Sequence, residues 1–126
     1  MQTPVPLRDR PGSTQILLAG VIPFVFGAFV GIALGVSAGL YWALSALAAV
    51  GGVLAGLEHL SLGGGAKRGL LGGALFAAGI LLLHALSGAD EKVSLGDAPI
   101  LLIPIDALIG AGLGTLGAWL RARRSP

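Results

Sequence analysis

The sequence contains no cysteine and very few charged residues. Without cysteine, a disulfide framework, a thiol nucleophile and a cysteine-ligated metal site are all excluded. Charged residues make up 11% of the chain, against about a quarter in soluble domains. Hydrophobic residues make up 55%, and the mean hydropathy is +0.90. This composition leaves too little polar surface for a soluble domain, and it predicts an integral membrane protein.

Several kinds of functional site are also missing. The net charge is only +2, and no basic run is interleaved with aromatic residues, so we expect no nucleic-acid partner. The sequence has no His-x-x-x-His or Glu-x-x-His spacing, so no metal site is predicted. The glycine-rich run 63–68 lacks the P-loop spacing. We therefore predict no cofactor, no catalytic residue and a non-enzymatic role.

What the chain has in abundance is long apolar runs. They predict an all-α domain, residues 15–120, with four transmembrane helices at about 15–37, 41–62, 69–86 and 98–120. At about 1.5 Å per residue, each run is long enough to cross a hydrocarbon core of about 30 Å, with tilt adjusting the fit. A polar tail, 1–14, precedes the first helix, and a basic tail, 121–126, follows the last. The glycine-rich run 61–68 reads as a polar turn, and residues 87–98 read as a solvated acidic loop.

Glycine, with 22 residues, is the second abundant feature. Apolar helices in lipid associate by close packing, and GxxxG rows let two backbones approach each other. We therefore expect small-residue faces to hold the four helices together. The predicted packing residues are Gly27, Gly31, Gly35, Gly39, Gly52, Gly56, Gly73, Gly110 and Gly114.

The first apolar run resembles a signal peptide in one respect, because Val36, Ser37 and Ala38 look like a cleavage site. The run is longer than the usual apolar segment of about 7–15 residues, so we favour a membrane span. Pro23 lies in the first third of this span, where it removes a backbone hydrogen bond and predicts a kink.

The basic residues predict the orientation. Lysine and arginine in short loops stay in the cytoplasm. With four spans, seven of the eight basic residues fall on one side, and only Lys92 falls on the other. This pattern predicts that both termini are cytoplasmic, in a plasma membrane of the bacterial type. A three-span alternative would place one basic cluster on the wrong side.

Two ionisable residues in the spans form the predicted proton or ion site. Asp106 shares a helix face with Gly110 and Gly114, and so points to another helix in the outer half of the membrane. His84 also points into a packing face, at a depth that we expect to be similar. A hydrogen-bonded Asp106–His84 pair would titrate near neutral pH. The alternative is a purely structural bond between helices, worth about 0.6 kcal/mol.

A second polar site is predicted at the inner end, at Glu58 and His59. We expect His59 to face inward and Glu58 to reach the interface or to pair with Lys67 or Arg68. Basic residues at both inner segments are predicted to contact lipid headgroups. They are Lys67, Arg68, Arg121, Arg123 and Arg124.

Three functions remain open. The first is a structural or accessory subunit that forms a homo-oligomer or packs in a larger membrane complex. The second is a small oligomeric proton-linked transporter or ion channel that uses Asp106 and His84. The third is a membrane-embedded enzyme. Because four closely packed helices leave little room for a cavity, we expect any conduction path to lie between protomers.

Overall fold

A computed structural model describes residues 5–124, and these residues form an all-helical bundle without strands. Four helices are long and apolar enough to cross a membrane, as predicted. We number them α1 to α4, and α4 begins with one 3₁₀ turn, Pro99–Leu101. Their bounds are Gly12–Leu34, Ala38–Gly56, Leu62–Ser87 and Pro99–Arg123.

Helices α3 and α4 are antiparallel, and their backbones touch along three levels. Gly65 lies against Gly114, Gly69 against Gly110, and Gly73 against the backbone of Asp106. A Cβ atom added to any of these three α3 glycines would overlap the facing carbonyl group. From one contact to the next, the position increases by four residues in α3 and decreases by four in α4. Because only glycines on α3 allow this approach, the contact fixes the register of the two helices.

Helix α1 packs on another side of α3 and runs parallel to it. Gly27 lies against the backbone of Phe76, and Gly31 lies one turn further along against Ile80. Gly79 of α3 returns the contact against Phe24. Helix α3 therefore lies at the centre of the bundle, between α1 and α4.

Helix α2 is the most peripheral of the four. Its C-terminal end packs on α4, where Gly56 contacts Gly114 and Gly117. One turn earlier, a Cβ atom added to Gly52 would lie 3.2 Å from the Leu113 Cβ atom. Apart from Gly56, only Tyr41 is buried in this helix.

The glycine row 27–39 does not lie on one helix. Helix α1 ends at Leu34, and Ser37 caps the N-terminus of α2 by accepting a hydrogen bond from the Leu40 amide at 3.3 Å. Gly35 lies in the turn, where an added Cβ would be 2.7 Å from the Ala89 side chain. Gly39 already belongs to α2 and meets only Ser37. Within this row, Gly27 and Gly31 lie against the backbone of a neighbouring helix.

The run 61–68 is not a turn either. Ser61 is the N-cap of α3 and accepts a hydrogen bond from the Gly64 amide at 3.0 Å, so the glycine run forms the first turns of the helix. Helix α2 ends earlier than predicted, at Gly56. Glycine disfavours a helix in isolation, but here Gly65 must be small to meet Gly114, and this packing outweighs the local preference.

The two ends of the bundle differ, and we name them by what they carry. The terminal end carries residues 5–11, the 57–61 turn and the C-terminal end of α4. The loop end carries the 35–37 turn and residues 88–98, most of which are exposed, as predicted for a solvated loop. Its Lys92 amide donates to the Leu34 carbonyl at 2.8 Å, and Val93 and Leu95 pack against a core cluster. The buried members of that cluster are Val30, Leu34, Tyr41 and Ile80.

The contact between α3 and α4 yields a matched test. We expect Gly110→Ala to destabilise the protein by about 1–3 kcal/mol, because the new methyl group would overlap the Gly69 backbone. Gly112→Ala is the control, since a Cβ there meets no atom within 4 Å. Unfolding by denaturing detergent in mixed micelles measures both. Equal stability of the two variants would contradict this packing.

Candidate functional site

A cavity of about 820 Å³ lies between the four helices, all of which line it. It is partly open to the outside, because Trp42 and Leu47 in its wall are each 60% exposed. Its wall is mainly apolar, with polar side chains at two levels. Asp106, Tyr41 and Ser45 lie in the wall of the middle and loop-end half. Glu58 and Arg68 line it towards the terminal end.

Small side chains create this space. Ser45 and Ala48 line the cavity from α2, and Gly72 lines it from α3. A Cβ added to Gly72 would meet no atom nearer than Pro23 Cγ at 3.8 Å. The same residue type thus has two effects: glycines that face a backbone hold two helices together, and glycines that face no backbone leave volume.

Asp106 lies level with the middle of α3. It faces Gly73, which is eleven residues after the first residue of α3 and fourteen before the last. Its side chain lines the cavity, as do those of Tyr41 and Ser45. Within residues 5–124, neither a salt bridge nor a side-chain hydrogen bond neutralises the Asp106 carboxylate.

His84 does not pair with Asp106. It lies eleven residues along α3 from Gly73, so the two side chains differ in height by about 16 Å. The Nδ1 atom of His84 is buried and has no hydrogen-bond partner. The pair was predicted from the directions in which the two side chains point from their helices. Those directions do not give the relative height of α3 and α4, and in the structure this register separates the two residues along the bundle.

Glu58 is the centre of a charged network at the terminal end. Arg10 Nη2 contacts its Oε2 atom at 2.6 Å, and Arg68 Nη1 donates to its Oε1 atom at 3.1 Å. Glu58 and Arg68 are each only 8% exposed. The predicted pairing with Arg68 is thus confirmed. The second partner is Arg10 rather than Lys67, so two guanidinium groups neutralise this carboxylate.

Arg68 also ties α3 to an irregular turn in α1. Its Nη2 atom donates to the Leu18 carbonyl at 3.3 Å. Leu18 lies in a π-helical turn, Leu17–Val21, in which amides bond to the carbonyl five residues earlier. The residue five positions after Leu18 is Pro23, which has no amide hydrogen. Pro23 therefore leaves a carbonyl without a backbone donor, and the Arg68 side chain supplies one.

The segment before α1 belongs to the same network, although it was predicted to be a polar tail. The Leu7 amide donates to the Glu58 carbonyl at 2.8 Å, and the Leu7 side chain is buried. The Gln15 side-chain amide donates to the Arg10 carbonyl at 2.9 Å. Arg10 was not a predicted site residue. Nothing in the sequence near Arg10 indicates its role, because its partner, Glu58, is 48 residues away.

His59 lies beside this network, outside the four helices. Its Nε2 atom is 3.5 Å from Arg68 Nη1. Partial burial and the Arg68 charge lower the pKa of His59 below its ordinary value, although Glu58 acts in the opposite direction. The predicted inward orientation agrees with this contact.

The basic residues predicted to contact headgroups behave differently from one another. Arg68 is wrong for this role, because it is buried in the ion pair with Glu58. Lys67 is exposed, and Arg123 lies over the Trp119 ring at 4.9 Å. Arg121 donates to the Leu57 carbonyl at 2.6 Å. The Arg124 side chain lies outside the described part of the structure.

No protein-family model matches the chain, and no curated protein or solved structure is significantly similar to it. The interpretation of the cavity therefore depends on its geometry and chemistry alone.

The lowered pKa of His59 predicts loss of stability in acid. Below the ordinary histidine pKa of 6.5, the unfolded chain binds a proton that the folded protein does not bind. The neutral His59 side chain therefore makes its full contribution to stability above pH 6.5, and this contribution is lost as the pH falls through the lowered pKa of the folded protein. Thermal unfolding at roughly pH 7.5 and pH 5.5 measures the effect. We expect His59→Gln to lose less stability than the unsubstituted protein; equal losses would contradict the assignment.

Proposed function

We propose that the chain is an integral membrane protein that conducts protons and a small solute across the bilayer, with Asp106 as the ion-binding residue. One observation carries the proposal: a carboxylate without an ion pair lines a cavity of about 820 Å³ near mid-height of an apolar bundle. Ionisable residues inside membrane spans face cavities and mark the paths of solutes, ions and protons. A large apolar cavity with few polar groups is the usual form of a small-molecule site.

The membrane arrangement is part of this proposal. Four spans with both termini in the cytoplasm would place the terminal end at the cytoplasmic surface, in agreement with the positive-inside rule. The glycine contacts between α3 and α4 and between α1 and α3 would then stabilise the bundle in lipid, where close packing replaces the hydrophobic effect. Lys67 and Arg123 would lie at the level of the headgroups.

The role of His84 changes in this proposal. The sequence suggests one proton site made of Asp106 and His84, whereas the separation along α3 supports Asp106 alone, with Tyr41 and Ser45 as polar neighbours. A chemical step on the solute is not required, and we propose a non-enzymatic role.

The charged network at the terminal end would control access to the cavity from that side. Glu58 and Arg68 line the cavity, and Arg10 attaches the N-terminal segment to Glu58. A solute that leaves towards this end has to pass these side chains or displace them. Their mutual neutralisation makes this end of the cavity less attractive to ions than the level of Asp106.

A structural or accessory subunit is the second candidate. It is favoured by the outer side of α2 at Val50, which is 57% exposed and does not line the cavity. In a homo-oligomer a second copy of the chain would cover this face; in a monomer, lipid would cover it. Native mass spectrometry from lipid nanodiscs measures the oligomeric state and detects a larger partner.

The transport proposal is tested by proton flux into proteoliposomes that contain a pH-sensitive dye. We expect an inside-negative membrane potential to drive acidification well above the rate in protein-free vesicles. Asp106→Asn should lower the flux to that background, because the amide cannot bind and release a proton. Asp97→Asn is the control, since it removes an exposed carboxylate in the 88–98 segment.

Loss of flux in both variants, or equal flux in the Asp106→Asn variant and the unsubstituted protein, would contradict a role of Asp106 in transport. Insertion and folding of each variant are verified by its elution from a size-exclusion column in detergent.

A further inference from the structure

We infer that the cavity binds an organic ammonium ion with an aromatic or aliphatic body. The inference uses the cavity of the proposed transporter and names the chemical class of its solute. It rests on the charge at Asp106, on the aromatic side chains beside it and on the small number of oxygen atoms.

Of the two carboxylates in the cavity wall, Glu58 is neutralised by basic side chains and Asp106 is not, so a cation would bind at the level of Asp106. Towards the terminal end, Glu58 is neutralised by Arg10 and Arg68. At mid-height, Asp106 has no basic partner among the described residues. A carboxylate in an apolar wall requires a proton or a positive ligand, because an isolated charge in such surroundings is costly.

Aromatic rings lie in the wall on the loop-end side of Asp106. Phe26 and Phe76 stack with their ring centroids 6.1 Å apart. Tyr41 and Trp42 meet edge to face at 5.2 Å, and all four rings line the cavity. Aromatic faces attract ammonium groups through cation–π interactions. Since Phe76 follows Gly73 by one turn of α3, these rings begin at the level of Asp106.

The same wall is a poor site for a metal ion or an anion. Calcium takes about 6–8 oxygen ligands, and the side chains near Asp106 add only the hydroxyl groups of Tyr41 and Ser45. Arg68 is the basic side chain in the wall, and both of its terminal nitrogens are engaged, by Glu58 and by the Leu18 carbonyl. A proton alone would make no use of a volume that falls in the range of small-molecule sites, about 300–1,000 Å³.

The test uses the two tryptophans of the chain, of which only Trp42 lines the cavity. Trp119→Phe leaves Trp42 as the reporter. The protein in lipid nanodiscs is titrated with benzyltrimethylammonium and, separately, with the phenylmethanesulfonate anion, which has a similar body and the opposite charge. We expect saturable quenching of Trp42 by the ammonium ion, with the anion at least about tenfold weaker.

Two variants locate the site. Asp106→Asn should weaken ammonium binding by about tenfold or more, and Asp97→Asn should leave it unchanged. Phe76→Leu should weaken it too, because the leucine side chain has no aromatic face. The comparison of the two ions on the Trp119→Phe protein needs no further substitution, so the test stands even if a variant fails to fold.

Equal binding of the two ions, or unchanged ammonium binding in Asp106→Asn, would overturn the inference. Failure of both ions to quench Trp42 would overturn it as well. Ammonium binding without proton flux would leave the inference standing and contradict the transport proposal. Proton flux without ammonium binding would do the reverse.

Discussion

The close contact between the backbones of α3 and α4 is the constraint on which the rest of the structure depends. Gly69 and Gly110 meet with no side chain between them, and the same pattern repeats one turn away at Gly65 and Gly114. Because side chains are absent at these levels, the two helices have one register in which their backbones can approach so closely. That register sets the height of every polar group on α4 relative to α3. It places Asp106 opposite Gly73 and far from His84.

The abundance of small residues also explains the cavity. A helix with glycine or alanine at most interior positions packs closely only where a neighbouring backbone reaches it. Helix α2 reaches α4 at its C-terminal end, through Gly56. Along its inner face, at Ser45 and Ala48, the small side chains leave volume unfilled. The bundle therefore combines close backbone contacts of α3 with α1 and α4 and a partly open space beside α2.

The polar groups divide along this space according to whether they are neutralised. Glu58 connects the N-terminal segment, the turn after α2 and helix α3 by binding two arginines. This network is structural in its geometry, because removal of one partner would leave a buried charge. Asp106 has no such partner and remains available for a proton or a cation. The contrast between the two carboxylates underlies both proposals.

Much of the fold follows from the sequence, because apolar runs of sufficient length predict helices whatever their neighbours. The four helices were predicted, whereas their ends were not. The glycines at 63–65 look like a turn locally and become helical because Gly65 packs on Gly114. The site was predicted only in part: Asp106 was identified from its cost in a span. Its neighbours Tyr41 and Ser45, and the contact between Arg10 and Glu58, depend on how distant segments pack.

The most direct test of the account is water access to the cavity wall at membrane depth. The chain has no cysteine, so Ser45→Cys and Val50→Cys each provide a single thiol, one in the cavity wall and one on the exposed outer side of α2. The account predicts that a small water-soluble cationic methanethiosulfonate reagent modifies Ser45→Cys in lipid vesicles and leaves Val50→Cys unmodified. Equal protection of the two thiols would contradict a solute-accessible cavity, and with it the role of Asp106.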